Sequence, residues 1–304
     1  MTPRPDFCSL CPRRCGVDRA AGETGFCRTG ADLLIATICL HQGEEPVLGG
    51  TKGICNVFFA HCNLRCLYCQ NYQISRNDRG EKDWEIALPE AVRRIEAVLD
   101  EGARAVGFVS PSHCLPQAVS LIESLRERGR KPVFILNTNG YDRVEGLRSL
   151  SGLIDVFLPD LKYMDAELAE RYSGARDYPE AAAAALREMY RQKGDVLALD
   201  ESGRARSGLI IRHLVLPGEV ENSKRCLRFI AQELSPRVHL SLMSQYHPTP
   251  EVTDHPRLGR TVEPDEYAAV VEEMERLGFE NGWVQEPESS GHYRPDFKRP
   301  EIFR

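Results

Sequence analysis

The stretch "HCNLRCLYCQ" sets Cys62, Cys66 and Cys69 in the spacing C-x3-C-x2-C, three thiols in eight residues with no fourth cysteine beside them. Thiolates gathered this closely hold a soft metal or an iron–sulfur cluster. A cubane takes one thiolate per iron, so a loop that offers three leaves one iron open to a ligand that is not protein. Two other readings stay open: a zinc ion that borrows a remote fourth ligand, and three structural thiols.

A second group, Cys8, Cys11, Cys15 and Cys27, follows C-x2-C-x3-C-x11-C. Four thiolates close a tetrahedral shell, so this group reads as a second metal site, structural or electron-transferring. Zinc, a single iron and a second iron–sulfur cluster are all open, and reduced unliganded thiols are the bland alternative. "CPRRCG" and "ETGFC" supply the Pro and Gly turns a metal knuckle needs. Cys39, Cys55, Cys114 and Cys226 stand apart and read as small buried hydrophobes. A disulfide framework is not expected from eleven cysteines, and "MTPRPDFCSLCPRRCG" lacks the apolar stretch of a secretory signal, which points to a reducing cytoplasm.

Past residue 50, short apolar runs alternate with longer amphipathic stretches, as in a parallel sheet with crossover helices. The strand expectations are 56–60, 105–110, 132–138, 154–159, 209–216 and 238–244, each nearly continuous in apolar residues, as strands covered on both faces require. Several of the helical stretches between them stop at glycine. "DVLALDESGRARSG" reads as a hairpin inserted before the fifth strand.

Six β/α units are too few for a closed eight-stranded barrel. They suffice for a partial (β/α)6 TIM-like barrel whose loops at the carboxyl ends of the strands face a lateral cleft. The three-cysteine loop follows directly on "NVFFA", at the carboxyl end of the first of these strands. The expected organisation is a small N-terminal cysteine-rich metal-binding module over 1–45, the barrel over 46–285, and a C-terminal extension over 286–304 that covers it.

With 304 residues and 42% apolar content the chain can bury a full core. The formal net charge is −6 and the basic residues are scattered, so nucleic acid is not expected as a partner. No unbroken apolar run is long enough to cross a membrane.

From about residue 50 to 285 the chain resembles the radical S-adenosylmethionine superfamily. "CSLCPRRCGVDRAAGETGFC", "CNLRCLYCQN", "PDLKY" and "MSQYHP", in this order, resemble its uncharacterised pyruvate formate-lyase activating enzyme-like branch. The resemblance implies an oxidoreductase with a 4Fe–4S cluster on Cys62, Cys66 and Cys69, whose open iron is chelated by adenosylmethionine. It implies reductive cleavage to methionine and a 5′-deoxyadenosyl radical that takes hydrogen from a substrate in the cleft. An electron donor such as flavodoxin or ferredoxin follows. So does a narrower alternative, an activase whose protein substrate carries the glycine to be oxidised.

On the same resemblance Tyr68 packs near adenine, Asp160 and Lys162 help organise the cofactor site, and Arg212 contacts the ribose or carboxylate of the cofactor. Asn137, Thr138 and Asn139, at the end of the third expected strand, either hold polar atoms of cofactor or substrate or simply make an Asn-Gly turn. His213 reads as a satisfied core histidine. Where the family usually has a Gly-Gly-Glu-like segment, "FVSPSHCLPQ" offers Ser110, Ser112, His113 and Gln117. "LMSQYHPTP" places Ser244, Gln245, Tyr246 and His247 at the cleft mouth as a substrate-binding set, with a rigid proline loop as the alternative. A reading of another class, a non-catalytic iron–sulfur or zinc-binding interaction protein, is kept beside these.

Overall fold

The computed structural model describes residues 8–77, 84–287, 289, 294–299 and 302–303. It contains β1 (Ile35–His41), α1 (Pro46–Gly49), β2 (Ile54–Phe59), α2 (Tyr72–Ser75), α3 (Leu88–Asp100), β3 (Ala105–Val109), α4 (Leu115–Glu127), β4 (Val133–Thr138), α5 (Val144–Ser149) and β5 (Val156–Pro159). There follow α6 (Ala166–Ser173), α7 (Tyr178–Lys193), β6 (Ala198–Leu199), β7 (Ala205–Leu214), α8 (Val220–Glu233), β8 (His239–Met243), α9 (Pro264–Arg276) and β9 (Gly282–Val284).

One sheet runs β1-β2-β3-β4-β5-β7-β8-β9, with β6 paired to β7. β2 to β5 and β7 to β9 are parallel, while β1 and β6 are antiparallel to their neighbours. The fold is therefore an α/β partial barrel with a cysteine-rich N-terminus. β2, β3 and β5 are buried along their whole length, which explains their unbroken apolar sequences.

Alternation along the strands separates two faces. Cys55, Val57, Phe59, Val106, Phe108, Phe134 and Leu136 pack in the main core with the helices. Ile54, Ala105, Ile135, Val156, Leu158 and Ile210 form a second apolar cluster toward the amino-terminal ends of the strands. Nearer the carboxyl ends the positions in phase with that cluster turn polar: Asn137, Asp160 and Arg212 line the cavity described below.

All six expected strands are present, and so is the hairpin, whose turn is closed by Asp200 N–H donating to Arg204 O at 2.7 Å. β1 and β9 were not expected. β1 comes from the segment assigned to the N-terminal module, yet it pairs along β2 from Ile35 with Phe59 to His41 with Ile54. Its middle residues are only half-buried, as on a sheet edge.

The described part of the carboxyl-terminal tail lies over β1, β2 and α2. Phe297 meets Phe58 edge-on at 5.3 Å, Phe303 lies 4.1 Å from the His41 ring, and Gln73 bonds both Asp296 Oδ1 and the Phe297 amide. Among the described residues no helix is long and apolar enough to cross a membrane.

Two buried histidines make the fold acid-sensitive. His113 gives one ring nitrogen to Ala60 O at 3.0 Å and His213 one to Leu161 O at 2.6 Å, while the second nitrogen of each has no hydrogen-bond partner among the described residues. Burial pushes both pKa values down from 6.5 to about 4. The unfolded chain therefore binds more protons between these values, so their contribution is full above pH 6.5 and is lost as pH falls toward 4. At pH 5 the expected loss is about 2 kcal/mol per histidine. Urea melts at pH 7 and pH 5 check this, and His213→Gln should remove roughly half of the difference.

Candidate functional site

At the carboxyl end of β2 the chain turns sharply through His61, whose φ of 67° is left-handed for a residue with a side chain. The three-cysteine loop that follows hangs on the carboxyl end of α6. Arg65 N–H donates to Ser173 O at 3.1 Å and Leu67 N–H to Tyr172 O at 2.9 Å, so the loop satisfies carbonyls that a helix terminus leaves free. Asn63, fully buried, donates to Tyr141 O at 2.8 Å and accepts from Asn139 Nδ2 at 2.8 Å, tying the loop to the turn after β4. In that turn Gly140 has φ 78°, and a side chain there would meet the carbonyl of Asp160. Glycine lets the ends of β4 and β5 approach each other.

Every sulfur of the loop receives a hydrogen bond. Cys62 Sγ accepts from Asn139 Nδ2 at 3.3 Å and from Leu64 N–H at 3.4 Å, Cys66 Sγ from Ser173 Oγ at 3.0 Å, and Cys69 Sγ from Ser75 Oγ at 3.2 Å. Burial, reinforced by the neighbouring thiols, pushes the Cys62 thiol up to about 12. Burial likewise raises Cys66, but Lys162 beside it works the other way and the value stops at about 11. Burial works to lower the Lys162 pKa, and the negative groups around it, Asp160 at 2.5 Å first, outweigh that and hold the ammonium charged.

The three thiols line one cavity of about 340 Å³. Ser110, Asn137, Thr138, Asn139, Asp160, Lys162, Arg212, Tyr68 and Gln245 line it too. Ser110, like His61, is left-handed, with φ 53°, so two strand ends facing the cavity carry backbone conformations that cost energy.

The remaining expectations land elsewhere. Tyr246 is completely buried and donates to Leu258 O at 2.6 Å, so it does not reach the cavity. His247 Nδ1 sits 3.4 Å from Gln70 Nε2 behind the wall, and Ser244 Oγ is used by Glu286 O at 2.6 Å. Ser112 bonds Thr138 at 3.0 Å, while Gln117 donates to Ala31 O at 3.1 Å. His213 is the core histidine expected.

Sequence reasoning missed Glu44 and Glu45. They clamp Arg212: its Nε donates to Glu45 Oε1 at 2.7 Å and its Nη2 to Glu45 Oε2 at 2.6 Å, with a further bond to Glu44. Burial would raise the Glu44 pKa, but Arg212, His41 and Asn56 together hold it below the usual carboxylate value. Tyr163 and Ser173 were also missed; both are fully buried beside Cys66.

The N-terminal cysteines stand together. Burial first, then the nearby Cys27, Cys15 and Cys8, push the Cys11 thiol up to about 12. Phe26 N–H donates to Cys15 Sγ at 3.3 Å and Arg19 Nη2 to Cys27 Sγ at 3.3 Å. At Gly25 a Cβ would stand 2.6 Å from that of Cys15, so only glycine fits the turn. All eleven cysteines are free thiols.

The loop suits a 4Fe–4S cluster by the chemistry of its donors: each sulfur has a hydrogen bond ready for negative charge, and Lys162 adds a cation. No fourth cysteine lines the cavity among the described residues. Among those residues, too, no three His, Cys, Asp or Glu side chains are grouped to hold one metal ion. A cubane does not ask for such convergence, since each thiolate takes its own iron.

The fold and this site together define a partial β/α barrel that carries a cysteine loop at the mouth of its first parallel strand. Residues 56–230, more than half of the chain, match the family model of the Radical SAM superfamily, and the chain belongs to that superfamily. Membership makes it a radical SAM enzyme, with a 4Fe–4S cluster and adenosylmethionine as the cofactors implied. It is similar to the uncharacterized protein MJ0674 of Methanocaldococcus jannaschii, 28% identical over 277 residues that cover 90% of this chain and 75% of that one. A second protein of that organism, the uncharacterized MJ0808, is 25% identical over 168 residues, 51% of this chain and 49% of the other.

Among solved structures, Streptococcus suis SuiB bound to S-adenosylmethionine is 13% identical with a TM-score of 0.48, over 75% of this chain and 48% of that one. A domain of pyruvate-formate lyase-activating enzyme from Bacteroides vulgatus is 16% identical with a TM-score of 0.40, over 57% of this chain and 93% of that domain. The chain thus spans about half the length of SuiB. Likeness at this level decides nothing about a substrate.

Proposed function

We propose that this radical SAM enzyme carries its cluster on Cys62, Cys66 and Cys69 and takes a hydrogen atom from an organic substrate held in the cleft. The observation that carries the reading is a single cavity lined by three hydrogen-bonded thiols with no fourth among its described lining residues. When bound there, the cluster and adenosylmethionine would supply one-electron cleavage of the sulfonium and the 5′-deoxyadenosyl radical.

The chain's own residues do the rest. Lys162, Ser173, Asn139 and Ser75 stabilise negative charge on the sulfurs. Asn137, Asp160 and the Arg212 clamp present polar groups to the cofactor, and the Tyr68 ring forms part of the wall. Phe303 and Pro295 of the tail line the cavity and help to exclude water from it. Gln245 is the substrate contact retained from the expected set.

A second metal, zinc or iron, on Cys8, Cys11, Cys15 and Cys27 stays part of the proposal and requires these thiols to draw together on binding, since they are not grouped to hold one ion in the structure; a flavodoxin or ferredoxin is proposed as the electron source. Free thiols throughout suit a reducing cytoplasm. We keep the division into module, barrel and extension with its first boundary moved, because β1 (Ile35–His41) pairs with β2 as the antiparallel edge of the barrel.

Anaerobic reconstitution with dithionite and adenosylmethionine tests the reading. 5′-Deoxyadenosine is expected; its absence despite an intact reduced cluster would leave the non-catalytic iron–sulfur or zinc-binding protein. The half-buried Asp160–Lys162 pair, at 2.5 Å, favours one narrower substrate, a backbone glycine in a partner enzyme, through the activase resemblance of "PDLKY". Co-expression with a glycyl-radical enzyme should then give a glycyl signal by electron paramagnetic resonance, and a silent spectrum removes the activase.

A further inference from the structure

Behind Cys66 runs a file of three hydroxyls. Ser173 Oγ lies 3.0 Å from Cys66 Sγ, Tyr163 OH 2.8 Å from Ser173 Oγ, and Tyr68 OH 2.6 Å from Tyr163 OH. Ser173 and Tyr163 are fully buried and Tyr68 is 4% exposed, so bulk water does not compete for these groups. They come from three places: the last residue of α6, the segment after β5, and the cysteine loop itself.

Distances alone leave the direction of two of these bonds undecided, because each hydroxyl both donates and accepts. One boundary condition decides both. As an iron-bound thiolate Cys66 would only accept, so Ser173 would spend its single proton on it. Ser173 can then only accept from Tyr163, and Tyr163, its proton used, can only accept from Tyr68. All three dipoles point their positive ends at the sulfur, and aligned hydrogen bonds polarise one another.

We propose that Ser173, Tyr163 and Tyr68 form a positioning relay that stabilises the Cys66 thiolate more in the reduced cluster than in the oxidised one, and so sets how easily the cluster accepts its electron. The proposal rests on the assignment of Cys66 as a cluster ligand made above. One electron enters from a low-potential flavodoxin- or ferredoxin-class donor, and no proton leaves the relay. Hydrogen bonds to cluster sulfurs are among the established levers on reduction potential. Here the lever is three residues long and acts on a single sulfur.

The test is a redox titration of the reconstituted holoenzyme followed by electron paramagnetic resonance. Ser173→Ala is expected to lower the equilibrium constant for reduction about tenfold, which for one electron is 59 mV toward more negative potential. Tyr163→Phe should shift it the same way by less, and Tyr68→Phe by less again. Ser173→Thr keeps a hydroxyl and should restore the parent value. Tyr267→Phe, whose hydroxyl is bonded to Leu242 O outside the relay, should not move it.

An unmoved potential in Ser173→Ala with full iron content overturns the proposal. Should Ser173→Ala not load its cluster, unmoved potentials in both tyrosine variants overturn it equally. If Cys66→Ala keeps a cluster, the ligand assignment itself falls. If Cys66→Ala loses the cluster while Ser173→Ala keeps both cluster and potential, only the relay falls.

Discussion

Cys66→Ala is expected to reduce 5′-deoxyadenosine formation to the no-enzyme background while iron or zinc on the amino-terminal thiols persists. A cubane held by three protein thiolates loses an iron anchor when one is removed, and the two remaining cannot hold its geometry. The fold should survive, because the loop is fixed through its backbone, Arg65 and Leu67 N–H on the Ser173 and Tyr172 carbonyls, and not through the sulfur. Metal content, circular dichroism and product chromatography on one sample decide the matter. Cys62→Ala and Cys69→Ala should behave alike. Cys226→Ala, in the core and outside the cavity lining, should leave product formation intact. Full cleavage by the Cys66 variant would refute the assignment.

The second large effect concerns stability. Arg212→Met is expected to cost about 3–5 kcal/mol, the range for removing one partner of a buried ion pair, because it strands the carboxylates of Glu44 and Glu45 together. The side chains are 14%, 7% and 5% exposed for Arg212, Glu44 and Glu45, so cavity water would compensate only in part for the guanidinium. The pH dependence has a definite sign. In the parent, Glu44 is held below the usual carboxylate value, so its contribution is present above that value and is lost as pH falls through the depressed one. In the variant, burial without the cation raises the same group, and acid should narrow the gap between the two proteins. Adding Glu44→Gln and Glu45→Gln to the variant should recover most of the loss in urea melts at pH 7. A loss under about 1 kcal/mol would show that the pair behaves as an exposed one.

The inner strands were legible because burial on both faces writes itself into unbroken apolar runs, as in "NVFFA" and "PVFILNT". The cysteine loop was legible because its ligands are close in sequence. What escaped notice depends on long-range contact. Glu44 and Glu45 meet Arg212 across 168 and 167 positions, and Ser173 meets Cys66 across 107, so no local spacing announces either. Tyr246 misled for the opposite reason: of the polar run around it only Gln245 lines the cavity, and its own side chain turns inward to Leu258. β1 was hidden by its place on the edge, where only half of each residue is covered. One available clue was passed over, the run "LLIATICLH", with β-branched residues enough for a strand.

The amino-terminal segment does more than carry thiols. The guanidinium of Arg13 sits 3.8 Å over the Phe26 ring and that of Arg65 4.6 Å over it, Arg13 reaches Asn63 O at 3.0 Å, and Asn77 joins Phe26 O to Cys62 O at 2.7 and 3.1 Å. The cysteine loop is therefore backed by the beginning of the chain, on the side away from the cavity, whose lining starts at His41. An enzyme without residues 8–30 would lose that backing, so dioxygen would reach the loop from behind and its air lifetime would shorten.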